Sequence, residues 1–544
     1  MKVPKFPGEV FLSNLLRERR ILAGGCIFLL LSWLTSCVTD LNHPPGVRYI
    51  RLLAFTVTFG LGLLEYKKPW WGMIVFLMLW PQESVARVLL EHISPLFTGW
   101  PQIAGGPAAC ALTVGYWGRT ERALRLTSPS ENRVAKRDNA WTLAFRLGLL
   151  LFAIAWTASA IVATVRIANG PSAPWLVQPP YWRGLLSPTG FTVLVPSITL
   201  LKVLPPLLFG ALLLNTLSDP RFSEIDSQSL HPPVKRLLIT CFLAGVLTAI
   251  EVSAQMFSGF TWSFNEFPFA GPFNNVNTTG PLLIVMVCAG LCIPVSQKRT
   301  KIVIVFVAIW MVLAALVTGS RNVVLMICVT SWLSLFVRSD PRRIAVAMLA
   351  LLLVLACAFW IPIPKSDQMA LRPVERVLAS VEAFRSKNWL TLTSSRNALW
   401  RVAWEVFKLY PLTGSGPGTF GMLAYPGSTI YPGYQIDDYF FAAHSMPMNT
   451  LAELGLPGMA AWTSLWIIMP FWVLLKKTLA NRMMLVVLCL GIGNIVDTMW
   501  LVPGATLLSV ILIVLACADL ERQAKTRTEN RAETCERLPR QTGN

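Results

Sequence analysis

The chain has 544 residues, 54% hydrophobic and 14% charged, with mean hydropathy +0.55 and net charge +19. A soluble globular protein carries about a quarter charged residues, so that class is excluded. The basic excess is scattered between long apolar runs, which also excludes a disordered chain and a nucleic-acid binder.

A membrane-spanning helix needs about 20 apolar residues, and on that measure the chain holds about fourteen spans. In chain order they lie near 21–38, 50–66, 70–88, 102–118, 140–165, 193–216, 236–254, 279–295, 302–318, 322–337, 344–362, 447–475, 483–499 and 505–520. The fold class this predicts is an all-α polytopic membrane protein with one large outward-facing loop carrying short helices. Segments 1–235 and 236–362 read as two parts of the bundle, 363–446 as the large loop, 447–520 as the last helices and 521–544 as a tail.

Basic residues recur in every second connection: Arg17, Arg19 and Arg20; Lys67 and Lys68; 119–139; Lys235 and Arg236; Lys298, Arg299 and Lys301; Arg338, Arg342 and Arg343; Lys476, Lys477 and Arg482; and the tail. Positive residues mark cytoplasmic loops, so both termini read as cytoplasmic, with Arg48 and Arg51 the exceptions. Leu34-Thr35-Ser36-Cys37 has the composition of a lipoprotein cleavage box. A first span with a basic inner flank accounts for the same residues, so the run is read as a signal anchor. Ten of the eleven cysteines fall in spans and Cys535 in the tail, which fits apolar packing residues rather than a disulfide framework.

Four outward segments carry polar chemistry: 166–192, 255–278, the turn Thr318-Gly319-Ser320-Arg321-Asn322, and the loop from Ile363 to Met446. In that loop, Leu371 to Lys387 has helical periodicity, and Ser394-Ser395 caps a second helix running from Arg396 to Tyr410. Trp400 and Trp404 share one face of that helix. Pro411-Leu412-Thr413-Gly414-Ser415-Gly416-Pro417-Gly418 ends it.

Arg321 at a helix end either snorkels to lipid phosphate or joins the turn amides in holding an anion. Arg396 opens a helix, where a cation is disfavoured unless an anion binds there or it pairs with Asp367 or Glu405. His444 is one of four histidines and lies on the same expected side as both arginines; packing and catalysis are both open to it. Asp437 and Asp438 would orient it or ligate a cation, although an Asp pair is a weak metal signal and no metal is expected. Glu453 and Asp497 are acids within spans, a costly placement that points to function. Glu453 is placed to pair with an arginine; Asp497 lies near enough to a helix end to be solvated.

The order of these segments resembles the O-antigen ligase and polymerase superfamily of bacterial polytopic glycosyltransferases. The resemblance rests on Gly271-Pro272-Phe273-Asn274-Asn275-Val276-Asn277, Thr318-Gly319-Ser320-Arg321, Arg396-Asn397-Ala398-Leu399-Trp400 with Tyr410 to Gly416, and His444-Ser445-Met446-Pro447-Met448-Asn449 through Gly458. Val276 stands where the family often has proline, and Ser445, Met446 and Pro447 replace more usual residues after the histidine.

The resemblance implies transfer of a glycan from an undecaprenyl diphosphate donor, at the periplasmic face of the bacterial inner membrane, to lipid A-core or another glycan hydroxyl. The bond would be inverted, with no cofactor or metal. Arg321 and Arg396 would clamp the diphosphate, His444 would be general base, and Asn277, Trp400 and Glu453 would line the substrate site. Membrane lipids are the other expected partners, with anionic headgroups against the basic inner face. A polymerase would share the donor and differ in acceptor. A lipid-linked glycan transporter is the reading from another class; the absence of an internal repeat and the one-sided polar motifs disfavour it.

Overall fold

The computed structural model describes residues 47–68, 70–79, 111–112, 115, 140–169, 203–204, 206–214, 231–258, 276–293, 295–337, 382, 385–387, 396–420, 442–475, 479–495 and 503–537. These are helical with short turns, and among them there is no strand. The expected spans 21–38 and 344–362 lie outside the described residues, as do Gly271–Asn275, Asp367, Leu371 to Val381, Asp437, Asp438 and Asp497.

The helices used below are α1 (Val47–Lys67), α2 (Trp71–Leu79), α3 (Ala140–Asn169), α4 (His231–Ser258), α5 (Val276–Leu291), α6 (Lys298–Val317), α7 (Arg321–Val337), α8 (Arg396–Leu409), α9 (Met446–Thr463), α10 (Leu479–Gly493) and α11 (Pro503–Arg537). A π-helical segment, Ser464–Ile468, carries α9 into Met469–Leu474. Among the described residues, Thr142–Arg166, Val234–Phe257, Lys298–Val317 and Met446–Leu474 are long and apolar enough to cross a membrane. Asn277–Leu291, Asn322–Leu333 and Ala480–Gly493 are shorter apolar helices. The expected spans over these regions therefore exist as helices, while the count of about fourteen extends to residues the structure does not describe.

Apolar helices take both central and outer places. α5 is central, buried throughout from Pro281 to Gly290. It packs among α4, α6, α7 and α10, and α10 packs on α11. The outer helices expose large apolar side chains instead, among them Leu151 and Ile161 on α3 and Val303 and Phe306 on α6. Such faces are stable only against lipid or another apolar surface.

At its C-terminal end α11 runs on to Arg537, well past the expected span 505–520. The reason is local: from Ala505 to Arg537 the sequence has no glycine or proline and is rich in Ala, Leu, Glu and Arg, which are strong helix formers.

Candidate functional site

Three hydrogen bonds bring the polar motifs to one end of the bundle. At the start of α5, Asn277 Oδ1 accepts the Ser320 hydroxyl at 3.3 Å. Ser320 closes the tight turn between α6 and α7, made possible by Gly319 at φ +68 and held by Thr318 Oγ1 donating to the Ala315 carbonyl at 2.6 Å. Arg321 and Asn322 then open α7. Asn322 Nδ2 donates to the Gly493 carbonyl at 3.1 Å, at the C-terminal end of α10. One residue on, the Asn494 carbonyl accepts the Met446 N–H at 2.7 Å, satisfying a donor that the first turn of α9 leaves open. The ends of α5, α7, α9 and α10 are thereby joined. The opposite end of the bundle carries Lys298, Arg299 and Lys301, and there Cys292 Sγ meets the Arg482 carbonyl at 3.3 Å.

His444 stands immediately before α9, half-buried, with φ +47. This left-handed backbone is uncommon outside glycine and costs about 1 kcal/mol or more, so neighbours must hold it. Asn449 does so from both directions: its Oδ1 accepts the Ala443 N–H at 3.1 Å, and its own N–H donates to the Ser445 carbonyl at 2.8 Å.

Packed along α9 is α8, whose apolar stripe follows helical spacing. Leu399, Val402, Ala403 and Val406 form one cluster with Phe420, Ala443 and Ala452. Arg396 is its first residue, as the sequence predicts. The side of α8 away from the cluster carries Trp404, which touches Phe407, and Glu405, which pairs with Lys408 at 2.7 Å. That pairing gives Glu405 a partner other than Arg396. Trp400 has its ring N–H buried with no hydrogen-bond partner.

After α8, the Pro411–Gly418 turn locks into a break in α9. Gly455 adopts φ +68 inside that helix and Pro457 follows it. Proline has no N–H, so the Glu453 carbonyl cannot receive its ordinary helical donor. Gly416 N–H at 3.0 Å and Ser159 Oγ at 2.7 Å supply donors instead. The Leu456 N–H, turned away by the break, donates to the Pro411 carbonyl at 2.8 Å. In exchange the Ala452 carbonyl accepts the Ser415 N–H at 2.9 Å. The Gly-Ser-Gly and Gly-Leu-Pro-Gly segments are thus two halves of one backbone joint.

Glu453 points its carboxyl into this joint. The sequence suggests an arginine partner; the structure gives Oε1 the Phe420 N–H at 3.0 Å, with the Gly418 amide and the Asn449 side chain directed to the same carboxyl. The docked turn presents main-chain donors to a buried carboxyl, which needs such partners to offset its burial.

Two residues on α3 complete the joint, and the motifs did not reveal them. Ser159 bonds the Glu453 carbonyl as above. Arg166, two turns further on the same face, donates from Nη1 to the Gly414 carbonyl and from Nη2 to Thr413 Oγ1, each at 3.3 Å, and lies over the Tyr410 ring at 3.7 Å. The available signal was the seven-residue spacing of a serine and an arginine on a long apolar helix ending at the Pro-, Gly- and Trp-rich segment 166–192.

Of the residues singled out in the sequence, Asn277, the Ser320–Asn322 turn and the His444 segment are tied to one end of the bundle. Arg396 and Trp400 sit on the helix packed beside that segment, and Glu453 lies within the joint below it. Among the described residues no group of three His, Cys, Asp or Glu side chains is arranged to hold a metal ion.

Residues 284–463 match a family model described as O-Antigen ligase. The match contains Arg321, Arg396, Trp400, His444 and Glu453, and leaves Asn277, Ser159 and Arg166 outside it. No curated protein matches the chain. Over residues 284–463 the chain is thus similar to O-antigen ligases, and it has helices apolar enough to cross a membrane.

Proposed function

We propose that this protein transfers a glycan from a polyprenyl diphosphate to a hydroxyl acceptor, as an O-antigen ligase, at the periplasmic face of the bacterial inner membrane. The observation that carries this is the hydrogen-bonded line from Asn277 and Ser320 through Asn322 and Gly493 to Asn494 and Met446. It unites separate motif segments beside His444 at the end of the bundle away from Lys298, Arg299 and Lys301. Basic residues favour the cytoplasm, so the motif end is read as periplasmic.

His444 takes the proton of the acceptor hydroxyl as its oxygen attacks the anomeric carbon. The bond from that carbon to the diphosphate oxygen breaks, its electron pair stays on the diphosphate, and the anomeric configuration inverts. Arg321 and Arg396 bind the diphosphate and stabilise the charge that grows on it; a guanidinium suits this role because it keeps its charge and binds phosphate bidentately. Trp400 offers the sugar an aromatic face. Glu453 acts at one remove, by fixing the main chain below His444.

Purified enzyme in lipid nanodiscs, given polyprenyl-diphosphate glycan and a core-type acceptor, tests this. Acceptor-dependent release of polyprenyl diphosphate is expected, with Arg321→Lys and Arg396→Lys each raising the donor KM about tenfold or more. Donor turnover with lipid-linked repeat units but not with core acceptor would make the enzyme a polymerase; no turnover with either acceptor would overturn the proposal.

A further inference from the structure

We infer that Arg166 is a positioning residue for this reaction. The inference rests on the reading of His444 as the group that receives the acceptor proton.

The chain of contacts is short. Arg166 fixes Thr413 and Gly414 by two hydrogen bonds and covers Tyr410 by stacking, so it holds both ends of the Tyr410–Gly414 turn. The next two residues, Ser415 and Gly416, donate their N–H groups to the Ala452 and Glu453 carbonyls. Those carbonyls belong to the half of α9 that precedes Gly455 and begins just after His444. Phe420, past the turn, delivers its N–H to Glu453 Oε1 and packs with Ala443, the neighbour of His444. Arg166 therefore anchors, from a separate helix, the turn that sets the position of the half-helix bearing His444.

The guanidinium suits this task over other side chains. It makes two divergent hydrogen bonds and an aromatic stack at once, while lysine reproduces at most the charge and one bond. Its partners among the described residues are a carbonyl, a hydroxyl and a phenol ring, and the kinetics below separate this role from that of a diphosphate clamp.

A residue that positions the catalytic half-helix should alter kcat more than donor affinity, since small misplacement of a reacting group costs up to about 100-fold. Arg166→Ala and Arg166→Lys are assayed as folded monodisperse protein, with His444→Ala alongside. The expected result is a kcat reduced roughly 10–100-fold in Arg166→Ala, with donor KM within about twofold of wild type and an intermediate kcat in Arg166→Lys. Tyr410→Leu should lower kcat too, and combining it with Arg166→Ala should give much less than the product of the two effects. If Arg166→Ala does not fold, the Arg166→Lys kinetics and the Tyr410→Leu pairing with it decide by the same criteria.

A raised donor KM with unchanged kcat would make Arg166 a substrate contact and overturn the inference, as would wild-type kinetics in both variants. Should His444→Ala retain transfer, the catalytic reading fails whatever the Arg166 variants do; loss in His444→Ala with normal Arg166 variants refutes the positioning role alone.

Discussion

Gly414 lies directly against the main chain of Glu453: a Cβ on Gly414 would stand 2.1 Å from the Glu453 carbonyl carbon. The backbone there also has φ +66, and at Gly455, across the joint, a Cβ would meet the Pro411 carbonyl oxygen at 2.6 Å with φ +68. Alanine at either position brings conformational strain and overlap with main chain that cannot rotate away. Gly414→Ala and Gly455→Ala should each cost about 2–4 kcal/mol, read as a fall in thermal midpoint of the solubilised protein. Gly60 on α1 has nothing within 4 Å of a built Cβ. Gly60→Ala should therefore be neutral or stabilising by up to about 1 kcal/mol.

Ser159 is one of two donors to the Glu453 carbonyl. Removing its hydroxyl leaves Gly416 N–H in place, so the carbonyl is not orphaned. Ser159→Ala should lower stability by about 1 kcal/mol, with most transfer activity retained. A much larger loss of stability would mean that Gly416 does not hold the joint without it.

Glu453 separates a structural carboxyl from a substrate-contacting one. Glu453→Gln keeps an oxygen for the Phe420 N–H and should retain the fold and most of the activity. Glu453→Leu leaves that N–H buried without an acceptor and should cost about 1–3 kcal/mol. If Glu453→Gln abolishes transfer at unchanged thermal midpoint, the carboxylate acts on substrate rather than on the turn.

How far the sequence reaches is clear from these residues. Apolar length and spacing foretell α3, α4, α6 and α8 closely, because continuous hydropathy or an amphipathic stripe has one inexpensive solution. The bounds of α8 follow from the serines before it and the Pro-Gly run after it. The joint between Pro411–Gly418 and Ala452–Leu456 was not legible. Pro457 and Gly455 announce a break, yet nothing local says which distant backbone will fill it. Arg166 is hidden for the same reason: its partners are a carbonyl, a hydroxyl and a ring some 250 residues away, and carbonyls leave no mark in a sequence. Glu453 looked like an arginine's partner since an acid in a span needs one, but main-chain amides serve as well.

His444 offers the most direct test because its backbone and its imidazole can be separated. Glycine accepts φ +47 without strain, so His444→Gly removes the side chain while keeping the conformation, and His444→Ala removes it with some strain. Both variants, expressed at wild-type level in the native host, would be compared by the glycans left on polyprenyl diphosphate and those attached at the surface. The account predicts that both lose transfer by about 10²–10⁴-fold, with long lipid-linked chains accumulating; accumulation of single repeat units would place the same chemistry in a polymerase. Normal surface glycan in His444→Gly would contradict the assignment of His444 as general base.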